Sequence, residues 1–316
     1  MKKYLLLVAA VTLALVVIPL SVCRAGSGAP GTAAGKTKSA DPSAETVAVF
    51  LPDTGKTEEM EMREYIICAL AAEMPAAYEE QALRAQAAAC VTLARYMKER
   101  GVKENLQGAV IAADPARYQG YMTVEEMQSR WGDDFQKYYD KLCAAVDEVL
   151  SYSVIYEGDY AMTAFHAISP GVTESALNVW DKNIPYLVSV DSAGDKESPG
   201  YASCVELSRE EVLKKLSLGT PEADAVPVAE ESYTRAGMLR SVKIYGKTFT
   251  GEELRSLLEL RSPAVTVSEN EGVFTFAVKG YGHGVGMSQY GANCLAKEGK
   301  TWREIIAHYY PGTEIA

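Results

Sequence analysis

The chain has 316 residues, of which 48% are hydrophobic, so it can bury a substantial core and has about two domains' worth of length. Its formal net charge of −11 argues against a nucleic-acid partner, because neutralising phosphates requires a basic surface. The charge is compatible with a neutral or zwitterionic polymer as ligand. The 19 tyrosines suit a sugar surface, although half-buried core positions use the same residue.

The first 23 residues predict how the chain is placed in the cell. Two lysines precede an uncharged, mostly apolar run over residues 4–23, which is about the length that spans a bilayer. We expect an uncleaved signal-anchor over residues 1–23, with the lysines inside and the bulk of the chain outside. The alternatives are a signal peptide cleaved near residues 23–25 and a lipoprotein-type Cys23.

Residues 24–46 predict a flexible linker, because the segment 26–35 is rich in glycine, alanine and serine and has nothing to bury. The folded body is expected over residues 47–316. The six cysteines form no C-x-x-C pair, and those on helical patterns are expected in the core. These three are Cys68, Cys90 and Cys143.

Residues 62–101 predict two helices separated by Pro75, over 64–74 and 78–100. Glu73 is an acid in an otherwise apolar last turn. A partly buried carboxyl group at a helix C-terminus should have a raised pKa, because burial and the helix dipole both disfavour its charge. This environment suits a general acid, and the alternative is a surface glutamate that merely ends a helix.

The segment 280–291 reads GYGHGVGMSQYG and is the most informative stretch of the chain. Residues 272–279 alternate like a strand, so the segment is predicted to lie at a strand end. Its polar and aromatic side chains suit a site for a hydroxyl-rich ligand, and the alternative is an irregular turn with an incidental histidine. Ser288 is not predicted as a nucleophile, because no G-x-S-x-G elbow surrounds it.

The three histidines have different expected roles. His283 is a second catalytic group, a hydrogen-bonding partner of the substrate, or a ring that holds its own loop. His166 is expected to line the site, because Thr173 and Glu174 follow on the same loop. His308 lies in a C-terminal helical pattern and is expected to be structural.

The fold class predicted by these patterns is α+β. Helices dominate residues 62–150, and strands are expected at about 153–168, 239–249 and 265–280. We expect the helical N-terminal part to pack on mixed or antiparallel β-structure. The charged region at about 191–234 is expected to form an irregular subdomain or lid.

Several motifs also fall in a fixed order along the chain. Three of them are EMP at 73–75, ALRAQA at 82–87 and the glycine-rich segment extended to 282–292. Others are FH at 165–166, GVTES at 171–175, VW at 179–180, GEELR at 251–255, LRS at 260–262 and YYPG at 309–312. Together they resemble the stage II sporulation protein D family of membrane-anchored lytic transglycosylases, whose domain also occurs in amidase-enhancer proteins. The resemblance covers roughly residues 45–316.

This resemblance implies cleavage of peptidoglycan strands between N-acetylmuramic acid and N-acetylglucosamine, on glycan stripped of stem peptides, leaving 1,6-anhydro ends. The family's catalytic glutamate of the E-M-P motif corresponds to Glu73. One carboxyl group suffices for this reaction, whereas a hydrolase normally needs a second. The residues expected to bind substrate are Arg84, Gln86, His166, Thr173, Glu174, His283, Ser288, Gln289 and Tyr290.

The resemblance further implies a place of action and partners. The protein would act from the outer face of the cell membrane at the engulfment septum of a sporulating cell. Its partners would be a sporulation amidase and a multispan membrane protein. The alternative function is a non-catalytic glycan-binding module that stimulates a cell-wall amidase, as the amidase-enhancer relatives imply.

One departure from the family concerns metal. Some members hold a structural zinc with a histidine and two cysteines in a C-x-D-x-x-x-C-Q-x-Y-like segment. The matching stretch here is 112–121, where Ala112 and Tyr118 stand at the cysteine positions. Neither side chain ligates zinc usefully, so we expect no metal there and no cofactor.

Overall fold

The structure is a computed structural model that describes residues 45–115 and 118–316. The predicted signal-anchor, and the predicted linker up to residue 44, lie outside the described residues. The described residues belong to one compact unit, Asp41–Ala316. Within them, every helix is too short or too polar to span a lipid bilayer.

The elements confirm the predicted α+β class. The helices are α1 (Met62–Glu73), α2 (Glu80–Glu99), α3 (Val124–Trp131), α4 (Phe135–Val149), α5 (Ala176–Trp180), α6 (Arg209–Lys215), α7 (Gly251–Leu258), α8 (Gln289–Lys297) and α9 (Trp302–Tyr309). The strands are β1 (Thr46–Leu51), β2 (Lys56–Glu61), β3 (Ile111–Ala112), β4 (Val154–Tyr156), β5 (Asp159–Tyr160), β6 (Phe165–His166), β7 (Ala202–Ser208), β8 (Val228–Tyr233), β9 (Leu239–Ile244), β10 (Lys247–Phe249), β11 (Val265–Asn270), β12 (Val273–Lys279), β13 (Met287–Ser288) and β14 (Glu314–Ile315).

Helix α2 lies at the centre of the first hydrophobic core. Its buried face consists largely of alanines together with Leu83 and Cys90. Small side chains allow neighbouring backbones to approach closely, and α2 packs against α1, α4, α8 and α9. Helix α1 ends at Glu73, because Met74 takes an extended conformation in front of Pro75. The C-terminal helices therefore meet the E-M-P segment around one shared core.

The five described cysteines are free thiols. Cys68 and Cys90 are buried, as their helical patterns predict. Cys143 is half-buried and packs against the first core, so the predicted core position holds only in part for this residue. Cys143 lies on α4 between the buried Leu142 and the exposed Ala144, at the border of the buried face of that helix.

Short strands connect distant parts of the chain around the first core. Strand β1 pairs antiparallel with β2 and parallel with β3. Strand β13 pairs parallel with β6, which joins the end of the glycine-rich segment to His166. Strand β14 closes a small antiparallel sheet of order β14-β4-β5. The β-structure is therefore mixed, as predicted.

Residues 202–279 surround a second hydrophobic core. Two antiparallel sheets, of order β10-β9-β8 and β11-β12-β7, enclose it together with α6 and α7. Phe274 and Phe276 on β12 are fully buried there. The glycine-rich segment follows β12 directly, as the alternating pattern predicts, so this second layer supplies the rigid start of the loop.

Two of the predicted strand regions are tight hairpins. Residues 265–280 contain β11 and β12, joined by Glu271 and Gly272 with positive φ at both positions. The β9–β10 hairpin turns in the same way at Tyr245 and Gly246. Positive φ at both turn residues matches the right-handed twist of paired strands. The region 191–234 is also more regular than expected, with a 3₁₀ helix at Ala193–Glu197 followed by β7, α6 and β8.

Candidate functional site

Glu73 projects from the end of α1, and two donors from distant parts of the chain reach its carboxyl group. The backbone N–H of Gly120 donates to Oε1 at 2.5 Å. The side-chain amide of Gln289, at the start of α8, donates to Oε2 at 3.5 Å. The structure therefore brings together the E-M-P segment and the glycine-rich segment, two of the motifs that the sequence shows.

The pKa of Glu73 is raised above its ordinary value, as the sequence predicts, and burial is the largest cause. Loss of water disfavours the charged form. The hydrogen bonds from Gly120 and Gln289 stabilise the carboxylate and therefore lower the pKa, but they do not cancel the effect of burial. Glu73 therefore binds its proton more strongly in this site than a glutamate does in water. The donors from Gly120 and Gln289 remain within hydrogen-bonding distance of the carboxylate when it ionises.

A buried glutamine fixes the backbone that supplies the Gly120 N–H. The Gln119 side chain is fully buried, donates to the Cys90 carbonyl at 3.1 Å and accepts from the Tyr65 hydroxyl at 2.9 Å. Tyr65 lies on α1 and Cys90 on α2, so Gln119 ties its own segment to both helices. A Cβ at position 120 would lie 2.9 Å from the Ala72 Cβ, and only glycine permits this approach.

The same segment is where some members of the resembled family hold zinc. Here Ala112 lies buried in β3, and the Tyr118 hydroxyl accepts from the Lys103 amine at 3.2 Å. The Lys103 amine also lies 4.6 Å from the centre of the Tyr118 ring. Within the described residues, no group of three or more His, Cys, Asp or Glu side chains is placed to hold a metal ion.

On the opposite side, a buried carboxyl group holds the start of α8. Ser288 is the N-cap of α8: its hydroxyl accepts from the Gly291 N–H at 3.2 Å and donates to Asp195 at 2.7 Å. Asp195 is fully buried and also accepts from the backbone and hydroxyl of Ser169. Burial raises the pKa of Asp195, although its serine donors act in the opposite direction. Ser288 is thus engaged inside the protein, and its predicted binding of substrate stays a prediction.

Tyr290 lies beside the E-M-P turn. Its ring is 6.1 Å from that of Tyr78 in an edge-to-face arrangement, and its hydroxyl donates to the Glu197 carbonyl at 3.3 Å. Asn293, one helical turn later, accepts from the Glu79 N–H at 2.8 Å. These contacts lock the first turns of α8 onto the connection between α1 and α2.

Glu73 lines a cleft of about 430 Å³. Among the described residues, the other side chains that line it are small, apolar or aromatic, apart from one arginine. They comprise Ala71, Ala72, Met74, Pro75, Ala76, Ala77, Arg130, Trp131 and Tyr138. The rings of Trp131 and Tyr138 meet edge to face at 5.6 Å. Sequence reasoning missed Arg130, Trp131 and Tyr138, because they lie on two helices, α3 and α4, and no single periodicity links them.

The predicted histidines lie together on the glycine-rich loop and β6. Their rings are 5.8 Å apart, and Trp180 lies 5.2 Å from the His283 ring. His166 donates from Nδ1 to the Val285 carbonyl at 3.1 Å, and the Val285 N–H donates to Nδ1 of His283 at 3.0 Å. Burial lowers the pKa of His166 to about 4 and that of His283 to about 3. Both rings are uncharged near neutral pH, and the contacts of His283 fit the loop-holding role among its three expected roles.

Glu174 contacts the same loop, whereas Thr173 contacts the backbone at Val190. The Glu174 N–H donates to the Gly284 carbonyl at 2.7 Å, and its carboxylate accepts from the Asn178 amide at 2.8 Å. The Thr173 hydroxyl accepts from the Val190 N–H at 2.9 Å. Both side chains are almost fully buried, so their contacts are structural and their binding of substrate stays a prediction.

The remaining two predicted binding residues lie on α2. Arg84 pairs with Glu148 at 2.7 Å and with Glu80 at 3.1 Å on the polar side of that helix. Gln86 is fully buried and donates to the Cys90 thiol at 3.4 Å. Neither residue lines the cleft beside Glu73. Their part in substrate binding stays a prediction that these contacts do not support.

Comparison with known proteins points to one family. The family model described as "Stage II sporulation protein" matches residues 52–156. The stage II sporulation protein D of Bacillus subtilis (strain 168) is 34% identical over 288 residues, covering 89% of this chain and 83% of that protein. The protein of the same name from Bacillus amyloliquefaciens is 34% identical over 286 residues, with the same coverage. The Bacillus subtilis amidase enhancer is 26% identical over 299 residues, covering 77% of this chain and 39% of that protein.

Proposed function

Because the chain belongs to the stage II sporulation protein D family and has a sporulation cell-wall role, we propose that it is a peptidoglycan lytic transglycosylase. It cleaves the bond between N-acetylmuramic acid and N-acetylglucosamine. The observation that carries this proposal is the carboxyl group of Glu73, which has a raised pKa, two hydrogen-bond donors and an open cleft beside it.

In the proposed reaction, Glu73 serves first as acid and then as base. It donates its proton to the glycosidic oxygen, the bond from that oxygen to the anomeric carbon breaks, and N-acetylglucosamine leaves with a hydroxyl. The C6 hydroxyl of the muramic acid residue then attacks the anomeric carbon and returns its proton to Glu73. The new bond closes the 1,6-anhydro ring, and the enzyme ends in its starting protonation state.

The surroundings of Glu73 suit both halves of this cycle. Burial keeps the proton on the carboxyl group before reaction. The donors from Gly120 and Gln289 stabilise the carboxylate that exists between the two transfers. Among the described residues that line the cleft, Glu73 is the only carboxylate. A hydrolase would normally place a second carboxylate there to activate water or form a covalent intermediate, so the cleft favours the one-acid route.

The glycine-rich segment is proposed to position the glycan. Gln289 donates to Glu73 and Tyr290 follows it beside Tyr78, so these two residues are proposed to contact the sugar ring. Ser288, His166, Glu174 and His283 hold the shape of that segment through the contacts described above, whereas Thr173 holds the neighbouring backbone at Val190. We further propose that residues 1–23 anchor the protein in the cell membrane, with residues 47–316 on the outer face. There it would act with an amidase and a membrane protein at the engulfment septum.

Mass spectrometry of the products from peptide-free glycan strands tests the reaction. Transglycosylation leaves an anhydro end that is lighter by one water than the reducing end made by a hydrolase. The expected result is anhydro ends with the wild-type protein and no cleavage with Glu73→Gln. Reducing ends, or wild-type turnover by the Glu73→Gln variant, would contradict the proposal.

A second candidate function is stimulation of a cell-wall amidase without cleavage of glycan. It is supported by the similarity to a protein named amidase enhancer, which covers 77% of this chain. The two candidates differ in their need for Glu73. If the chain only stimulates an amidase, the release of stem peptide by a purified sporulation amidase should rise equally with the wild-type protein and with Glu73→Gln.

A further inference from the structure

Arg130 is an unpaired cation at the edge of the cleft that contains Glu73. It lies in the last turn of α3 and is exposed. Within the described residues it has no ion pair and no hydrogen bond. By contrast, Arg63, Arg84 and Arg95 on neighbouring helices each pair with a carboxylate. In a chain with 42 acidic residues and a net charge of −11, a guanidinium left without an internal partner is available to a ligand.

The walls next to Arg130 suit one face of a sugar ring. Trp131 and Tyr138 are half-buried and present rings that meet at 5.6 Å. Apart from Glu73, the rest of the lining consists of alanines, Met74 and Pro75, whose side chains are apolar. A pyranose can place its C–H face on such aromatic and apolar surface while its substituents point outward. Arg130 is the one positively charged side chain that lines the described part of the cleft, and the nearby Lys141 amine is engaged by the carbonyls of Ala76 and Tyr78.

We infer that Arg130 binds the free lactyl carboxylate of a muramic acid residue held in this cleft. The inference rests on the proposed function, because it takes peptidoglycan glycan as the ligand. When the stem peptide has been removed, the lactyl group of muramic acid ends in a carboxylate. When the peptide is present, the same carbon forms a neutral amide. A guanidinium binds a carboxylate with two charge-assisted hydrogen bonds and binds an amide without the ionic attraction.

Arg130 is therefore a residue that determines specificity for the substrate. Within the described part of the chain it makes no contact with Glu73. Since the guanidinium is exposed, solvent and salt screen the attraction, and a preference of roughly fivefold for the carboxylate form is expected. The preference should appear in binding and in KM, with kcat nearly unchanged, because the carboxylate does not take part in bond cleavage.

Binding to a non-cleaving variant tests the inference without interference from turnover. In the Glu73→Gln background, binding is measured for short peptide-free glycan strands and for the same strands with each lactyl carboxylate converted to a methylamide. The expected result is tighter binding of the carboxylate form, lost in Glu73→Gln/Arg130→Gln and partly kept with Arg130→Lys. The matched control is Arg235→Gln, which removes an exposed arginine on the turn between β8 and β9 and should keep the full preference.

The outcomes separate this inference from the proposed reaction. A preference that persists without Arg130, or equal binding of both forms to the Glu73→Gln protein, overturns the role of Arg130. If the wild-type protein yields no anhydro ends while the Arg130-dependent preference is present, the proposed reaction fails and the carboxylate subsite stands. If anhydro ends form with the same KM in wild type and Arg130→Gln, the reaction stands and the inference about Arg130 fails.

Discussion

The Gly120 N–H donates to Oε1 of Glu73 across 47 residues of sequence, at 2.5 Å. This contact opposes the effect of burial on the pKa of the acid, and its position depends on Gln119, which is fixed to α1 and α2. The acid and its donor therefore belong to one rigid unit. A carboxyl group that must give up and regain a proton benefits from a partner that does not move between the two steps.

Replacing Glu73 with glutamine should reduce glycan cleavage by at least about 100-fold, which is the lower range for loss of a general acid. The amide is similar in shape but has no acidic proton. Anhydro product measured over time gives the rate. The melting temperature and the affinity for glycan should stay close to those of the wild-type protein, and a large drop in either would mean that the loss reflects folding rather than chemistry.

The rate of the wild-type protein should fall as the pH rises through the raised pKa of Glu73, because the reaction begins with the protonated acid. His166 and His283 should not contribute to this arm, since burial lowers their pKa values to about 4 and about 3, below the raised pKa of Glu73. The pH dependence of initial rates on peptide-free glycan checks this. A rate that increases with pH through neutrality would contradict the assignment.

Stability should respond to the same titration. The folded-state pKa of Glu73 lies above its ordinary value of 4.5, so the protonated form is favoured on folding. This contribution is fully present below pH 4.5 and is lost as the pH rises through the raised value. Glutamine does not titrate, so Glu73→Gln should gain stability relative to wild type across that window. Melting temperatures of both proteins over a pH series measure the difference, and a constant difference would show that Glu73 titrates normally.

Gly120→Ala should lower activity and move the falling arm of the pH profile upward. The added Cβ would lie 2.9 Å from the Ala72 Cβ and 3.1 Å from Glu73 Oε1, so the segment must shift and weaken its hydrogen bond. Overpacking of this kind typically destabilises a protein by about 1–3 kcal/mol. Gly219→Ala is the matched control, because a Cβ there has no neighbour within 4 Å. An unshifted pH profile in Gly120→Ala would mean that this N–H does not influence Glu73.

Gln289→Ala removes the donor to the other carboxyl oxygen of Glu73. The rate should fall by the factor that corresponds to about 1–3 kcal/mol of lost transition-state stabilisation, which is typical of a lost hydrogen bond to a charged group. The carboxylate between the two proton transfers then lacks one partner. Single-turnover rates on peptide-free glycan provide the measurement. Tyr290→Phe serves for comparison, since it keeps the ring next to Tyr78 and loses only the hydroxyl contact with Glu197. An equal loss in both variants would indicate a general disturbance of α8.

The local patterns of the sequence predict the parts of this site that depend on local physics. Apolar periodicity and Pro75 predict α1, α2 and the break between them, and alternation predicts the strand before the glycine-rich loop. The partners of Glu73 were not predictable in this way. Gly120 lies in an irregular segment, and its identity as a donor follows only from how Gln119 packs between two helices.

Polar residue type alone was also a poor guide to exposure. Ser288 and Glu174 look like ligand-binding residues in a glycine-rich context, yet each is buried and engaged by protein partners. Ser288 contacts Asp195 and Glu174 contacts Asn178, and neither of these partners lies in one of the sequence motifs. The sequence did not predict that Trp131 and Tyr138 line the cleft, because an aromatic residue in a helix is usually a core residue.

The contact between Glu73 and Gln289 spans 216 residues, so it has consequences for when the protein becomes active. During synthesis the acid emerges 216 residues before its second donor, and the helices α8 and α9 that pack on α2 also come after it. Contacts of such long sequence separation form late in folding, because a long loop must close first. A chain in which α8 has not yet docked would therefore carry the Glu73 carboxyl group without its second donor. On the proposed function, cleavage of glycan would begin only once α8 had packed against α2.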